Sequence, residues 1–264
     1  MAQTIERLKI SIPEYYKRTP EDLFNNELSI NNRLYLLALS AGKFASSSLL
    51  FHDPQGVMDS FATKPHVDTP NHNGYFDPVV VGSVYEHLNK GKPRPYYVML
   101  AEPFQNRLGA YVGGHLGGIP LDRKAAELGD GGVTMKMMRM TRYALKVART
   151  PVVVFPSGTF EDRRSDSELG RGALAIAGKE FPVVTWGVGG TTGAVKRYLA
   201  SAGLLGIHSS AVIGDVFMPE EKVTPEKLQE SIQKAKKSAE ELLMDNRVSL
   251  TDQILASVRR SRTS

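Results

Sequence analysis

Six short runs rich in β-branched and aromatic residues set the tightest limit on what this chain can fold into. They lie at His66–Thr69, Pro95–Ala101, Gly118–Leu121, Pro151–Phe155, Phe181–Val188 and Ala211–Val216. Each has the length of one strand, and stretches with helical spacing separate several of them. Strands that alternate with helices bury their apolar faces by forming one sheet covered by helices. The expected fold class is therefore α/β, with a twisted, largely parallel sheet and helices on both faces. A chain of 264 residues is long enough to bury such a core.

The two ends of the chain read as helical. In the N-terminal part, residues 20–50 are expected to form a helical hairpin. Thr19 can cap it, Pro20 suits the first helical position, and Glu21 and Asp22 complement the helix dipole. Asn25, Asn26, Asn31 and Asn32 mark the break between its two arms. The apolar-leaning stretch Leu34–Phe51 is interrupted by Lys43 and by Ser46-Ser47-Ser48, which makes it a poor membrane span. It could pack as a buried helix or lie flat on a bilayer. The opening MAQTIERLKISIPEYYKR has no apolar region of the signal-peptide kind.

A last helix is expected over Pro225–Met244, capped by Thr224. Leu228, Ile232, Ala235, Ala239 and Leu242 form its apolar stripe. The basic run Val258–Arg262 reads as a solvated tail. The expected organisation is a helical segment 1–52, an α/β domain 53–245 and a tail 246–264.

Charge and cysteine content narrow the chemistry. There is no cysteine, so disulfides, thiolate metal sites and cysteine nucleophiles are excluded. Thirty-three basic residues against 28 acidic ones leave a formal charge of +5, which favours anionic partners. Lys136, Arg139, Arg142, Lys146 and Arg149 recur at spacings of three and four, with Met137, Met140, Ala144 and Val147 beside them. This pattern fits a basic helix face turned to anionic headgroups or phosphates, or a solvated face above a Met-rich core contact. No nucleic-acid module is apparent. Gly187–Gly193 follows an apolar run as a dinucleotide loop would, but Thr192 stands where the third glycine belongs. It is expected to be a flexible turn.

The segment Asn71-His72-Asn73-Gly74-Tyr75-Phe76-Asp77-Pro78 stands where a strand hands over to a helix, continued by Val80, Val84 and Leu88. A carboxylate five residues after a histidine can fold back onto one ring nitrogen and leave the other to take a proton. In the plainer reading Asp77 only caps the helix and His72 is a loop residue. A third possibility is a metal hydrolase, since His66, Asp68, His72 and Asp77 are all possible ligands. The chain lacks H-x-H and H-E-x-x-H spacing.

Four blocks, read in order, resemble the glycerolipid acyltransferase family, whose best-known members are the 1-acylglycerol-3-phosphate acyltransferases. They are His72 to Asp77, preceded by Asn71; Gly117-Gly118-Ile119-Pro120-Leu121-Asp122-Arg123; Phe155-Pro156-Ser157-Gly158-Thr159; and Pro182-Val183-Val184-Thr185. The resemblance implies an O-acyltransferase that moves a fatty acyl group from acyl-CoA or acyl carrier protein to a hydroxyl of a glycerol-phosphate or lysophospholipid-type acceptor.

His72 and Asp77 would be the catalytic pair. Asn71, Gly118, Arg123, Ser157, Gly158 and Thr159 would contact substrate, with Arg123 gripping an acceptor phosphate through its planar fork. Neither a cofactor nor a metal is implied, because a thioester is already activated. The implied partners are an anionic phospholipid surface and the acyl donor, with no nucleic acid. The implied location is peripheral, on the cytoplasmic side of a membrane. Three positions depart from the family pattern. Ser157 stands in place of glutamate, Thr185 in place of proline, and Phe160 in place of arginine or serine, which alters the acceptor pocket. The alternative is an inactive lipid-binding homologue.

Overall fold

The middle of the sheet is the short strand that leads into His72. The computed structural model describes residues 19–26, 35, 46–72, 76–89, 94–101, 113–122, 131–156, 171–192 and 207–261. Its strands are β1 (Ser46–His52), β2 (Val67–Pro70), β3 (Tyr96–Leu100), β4 (Gly118–Leu121), β5 (Val152–Val153), β6 (Val183–Gly189) and β7 (Ile207–Phe217). They form one seven-stranded sheet in the order β1-β7-β6-β2-β5-β3-β4. Every pairing is parallel except that of β6 with β7. The sheet is therefore mixed but mostly parallel, as expected. All of β2 and all of β6 are buried, which is how inner strands covered on both faces behave.

Helices α1 (Pro20–Asn26), α2 (Val57–Phe61), α3 (Asp77–Asn89), α4 (Gly131–Lys146), α5 (Arg171–Ala177) and α6 (Pro225–Ser261) cover the two faces. The period-2 alternation of strand side chains divides the core. Val152, Val183 and Tyr96 face the layer of α1, α4, α5 and α6, together with Leu23, Met140, Leu145, Ile176, Leu228 and Ile232. Their neighbours Val153, Val184 and Tyr97 face α2 and α3, together with Met58, Val80, Val84 and Tyr85. Each fully buried Leu, Ile or Met here contributes roughly 1.5–3 kcal/mol.

The structure corrects three readings of the sequence. Ser46–His52 is not the end of a helix. It is β1, paired in parallel with β7. A short apolar run next to three serines cannot be assigned by periodicity, and serine is a weak helix former. The segment 1–52 thus contributes a strand to the sheet, and the Leu34–Phe51 stretch ends inside it. Of the expected N-terminal hairpin, α1 is seen, with the Asp22 amide donating to the Thr19 hydroxyl at 3.2 Å. Most of the remainder lies outside the described residues.

The final helix does not stop at Met244 but continues to Ser261, through most of the expected tail 246–264. No glycine or proline interrupts residues 246–261, and Leu250, Gln253, Leu255 and Ala256 are good helix formers. Its stripe buries Leu228, Ile232, Ala235, Ala239 and Leu243, with Leu243 rather than Leu242 completing it.

Third, Gly187 and Gly189 belong to β6 and do not form a turn. A Cβ at Gly187 would lie 1.9 Å from the Ala235 carbonyl oxygen, so α6 can sit directly on the strand only because no side chain is there. Small polar groups fasten the same contact. Thr185 and Ser231 hydroxyls meet at 2.7 Å, and Ser210 Oγ donates to the Ala239 carbonyl at 2.6 Å.

Candidate active site

The carboxyl end of β2 delivers His72 to the edge of the sheet, and the chain returns as α3, whose first residue is Asp77. His72 Nδ1 lies 2.8 Å from Asp77 Oδ2. The carboxylate is fully buried and the imidazole 18% exposed, so only the ring reaches solvent. Asp77 occupies the first turn of α3, where the positive end of the helix dipole stabilises its charge.

Phe155 follows β5 on the neighbouring strand. Its ring centroid stands 4.5 Å from that of His72, at 35°. One side of the imidazole is thus covered by an aromatic ring, and its edge is held by a carboxylate. A histidine fixed in this way can accept and return a proton without reorienting.

Asn71, expected among the substrate contacts, is 2% exposed. Its Oδ1 accepts from the Val188 amide at 2.6 Å, and its Nδ2 donates to the Val188 carbonyl at 3.0 Å. In this arrangement it braces the end of β2 against β6. Gly118, also expected to contact substrate, is the buried first residue of β4, level with Tyr97 of β3. Through β5, Tyr97 is level with Asp68, four residues ahead of His72. Gly118 therefore lies at the amino end of its strand, away from the edge that carries the imidazole. Only the far end of β4, at Leu121, which pairs with Leu100 of β3, runs out toward that edge. Arg123, Ser157, Gly158 and Thr159 lie outside the described residues.

The four possible metal ligands separate into two pairs. His66 and Asp68 form a second, wholly buried pair, with Nε2 3.0 Å from Oδ1. His66 Nδ1 donates to the Lys64 carbonyl at 2.7 Å, Tyr85 Oη donates to Asp68 Oδ2 at 2.5 Å, and Trp186 Nε1 donates to Asp68 Oδ1 at 2.8 Å. Burial alone would lower the His66 pKa. The charge of Asp68 and its hydrogen bond outweigh that and hold it above the ordinary value. Burial first, and then Asp68, push the Tyr85 phenol well above its usual range, so it remains a donor. Among the described residues no group of three or more His, Asp or Glu side chains converges to hold a metal ion.

On α4, Met137, Met140 and Ala144 are buried as their spacing suggests, while Val147, just past the end of the helix, is 60% exposed. Arg139 and Arg142 are exposed, and Lys146 is tied to Glu180 at 2.6 Å. Among the described residues no helix is long and apolar enough to cross a membrane.

Sequence reasoning placed His72 and Asp77 together but missed the contact of Phe155 with His72. The only sign of it was the position of Phe155 at the head of the third block. Tyr85 and Trp186 gave no sequence signal beyond being aromatic.

The model of the acyltransferase family matches residues 53–188. No curated protein matches the chain significantly. Among solved structures, the chain is similar to the 1-acyl-sn-glycerophosphate (LPA) acyltransferase PlsC from Thermotoga maritima. The identity is 17% and the TM-score 0.48, with 84% of this chain and 87% of that one covered.

Proposed function

The chain belongs to the acyltransferase family, and from that premise we propose that it moves a fatty acyl group from an acyl thioester to a hydroxyl of a glycerol-phosphate or lysophospholipid-type acceptor, with His72 as the base. The observation that carries this reading is the 2.8 Å contact of His72 Nδ1 with the buried Asp77 carboxylate. With Nδ1 engaged, the proton-accepting role falls to Nε2. The acceptor hydroxyl gives its proton to Nε2 as its oxygen attacks the thioester carbonyl carbon. The tetrahedral intermediate then collapses, the C–S bond breaks, and the leaving thiolate takes the proton back from His72. No covalent enzyme intermediate is needed, and Asp77 stabilises the imidazolium that forms between the two steps.

Proximity and charge stabilisation do the remaining work. We assign the acceptor phosphate to Arg123, whose fork suits phosphate oxygens, and the polar head of the acceptor to the Ser157–Thr159 segment. Serine at 157, where the family has glutamate, is shorter and uncharged. The reading therefore includes an acceptor whose head is bulkier than glycerol 3-phosphate or differently placed. The donor is acyl-CoA or acyl carrier protein, and the reaction takes place at a membrane surface.

A labelled-donor screen tests the reading, with acyl-CoA and acyl carrier protein offered against phosphorylated and unphosphorylated acceptors. Labelled ester product is the expected result, with Arg123→Ala raising KM for phosphorylated acceptors and leaving the donor KM alone. An absence of ester product with every donor would favour an inactive lipid-binding homologue.

A further inference from the structure

The strand and the helix that carry the His72–Asp77 pair are joined a second time, deeper in the fold. Tyr85 lies eight residues along α3 from Asp77, and Asp68 lies four residues before His72. Eight helical residues rise about 12 Å, and four extended residues span about 13 Å. α3 runs back along β2, so the two cross-links lie at matching depths. One is His72 to Asp77 at the sheet edge, and the other is Asp68 to Tyr85 below it. We propose that the Asp68–Tyr85 bond, held in place by His66 and Trp186, is the lower of two rungs that fix α3 against β2 and so keep Asp77 on His72. The inference rests on His72 acting as the base, as proposed above.

The hydrogen bonds give the lower rung a single orientation. His66 Nδ1 faces a carbonyl, which only accepts, so this nitrogen carries a proton. The Tyr85 proton goes to Asp68 Oδ2, so the phenol oxygen can only accept from His66 Nε2, 2.9 Å away. The indole N–H of Trp186 reaches Asp68 Oδ1 from β6, on the other side. Asp68 thus links its own strand to β6 and to α3, with every donor pointing inward and no part exposed.

The apolar contacts of α3, through Val80, Val81 and Val84, have no such directionality. They would tolerate a small roll or slide of the helix. A roll of one residue turns a helix by about 100° and would carry Asp77 away from His72. The lower rung prevents this, so Tyr85 and Asp68 are positioning residues that never touch substrate.

Tyr85→Phe removes the rung and leaves the ring in place. The test follows two quantities in folded protein: steady-state turnover of the acyl thioester, and the proton NMR signal of the His72 ring N–H that faces Asp77, assigned by its loss in Asp77→Asn. Tyr96→Phe removes a phenol from the opposite face of the sheet and serves as the control.

In Tyr85→Phe, kcat is expected to fall about tenfold with KM for the donor unchanged, and the ring signal is expected to broaden or vanish. Both stay at wild-type values in Tyr96→Phe. A sharp, unshifted ring signal with wild-type kcat in Tyr85→Phe would overturn the proposal, and so would equal losses in Tyr96→Phe. If Tyr85→Phe does not fold, Trp186→Phe removes a different donor to Asp68 and is judged by the same two results. If the wild type turns over no thioester, the proposed function fails, and the ring signal alone still decides whether the rung positions Asp77.

Discussion

The side-chain amide of Asn71 holds both backbone groups of Val188, accepting from its N–H at 2.6 Å and donating to its carbonyl at 3.0 Å. The parallel ladder between β2 and β6 has its last paired residues at Pro70 and Trp186. The Asn71 amide therefore continues the ladder by side chain just where the strand ends and His72 begins. It is a brace for the end of β2, one residue from the base.

Replacing Asn71 with alanine removes two buried hydrogen bonds. Asn71→Ala is expected to cost about 2–3 kcal/mol of stability, near the sum of two such bonds. Asn71→Asp keeps the acceptor but loses the donor, and should be damaging as well. Urea denaturation read by fluorescence of the single tryptophan measures both. A cost below about 0.5 kcal/mol for Asn71→Ala would show that the amide does not carry the ladder.

The close approach of α6 to β6 makes a second prediction. A methyl group at Gly187 would sit inside the Ala235 backbone, with 1.9 Å to its carbonyl oxygen. Gly187→Ala should destabilise the protein by about 3 kcal/mol, since the whole helix must shift. At Gly172 in α5 nothing lies within 4 Å of an added Cβ. There the same substitution should be neutral or gain roughly 0.5–1 kcal/mol from helix propensity. Paired melting curves test the contrast, which disappears if α6 is not seated on the strand.

The alternation of strands and helices, and the His–Asp pair, were legible because both are local. The run at Pro151–Phe155 is apolar throughout and Phe181–Val188 is apolar but for Thr185, as strands buried on both faces tend to be. His72 and Asp77 are only five positions apart in the chain. The partners of the pair were not legible. Phe155 reaches His72 through the pairing of β2 with β5, while Trp186 and Tyr85 reach Asp68 from β6 and α3, and no spacing in the sequence encodes these contacts. Asn71 is expected among the substrate contacts from its place in the first block, and its placement opposite Val188 shows where its amide goes. β1 was misread for a related reason. Seven residues beginning with serines carry no period, and their partner β7 lies some 160 positions away in the chain. That separation is visible only in the fold.

The exposed face of α4 bears on where the reaction takes place. Met135, 55% exposed, shares a helical face with the exposed Arg139 and Arg142. Cosedimentation with anionic vesicles should detect peripheral binding that weakens as salt rises, because exposed charges are screened beyond about 10 Å at ~0.1 M. Arg139→Glu combined with Arg142→Glu should abolish most of it. Equal, salt-insensitive binding to neutral and anionic vesicles would remove this face from the account.

The central claim is that His72, held by Asp77, takes the proton from the acceptor hydroxyl. It is tested most directly by steady-state transfer from a labelled acyl thioester by purified His72→Ala, shown to be folded by its melting curve and still able to bind donor. The account predicts that turnover falls by at least about a hundredfold, the lower range for loss of a general base, with donor affinity kept. Wild-type turnover by the folded variant would contradict it.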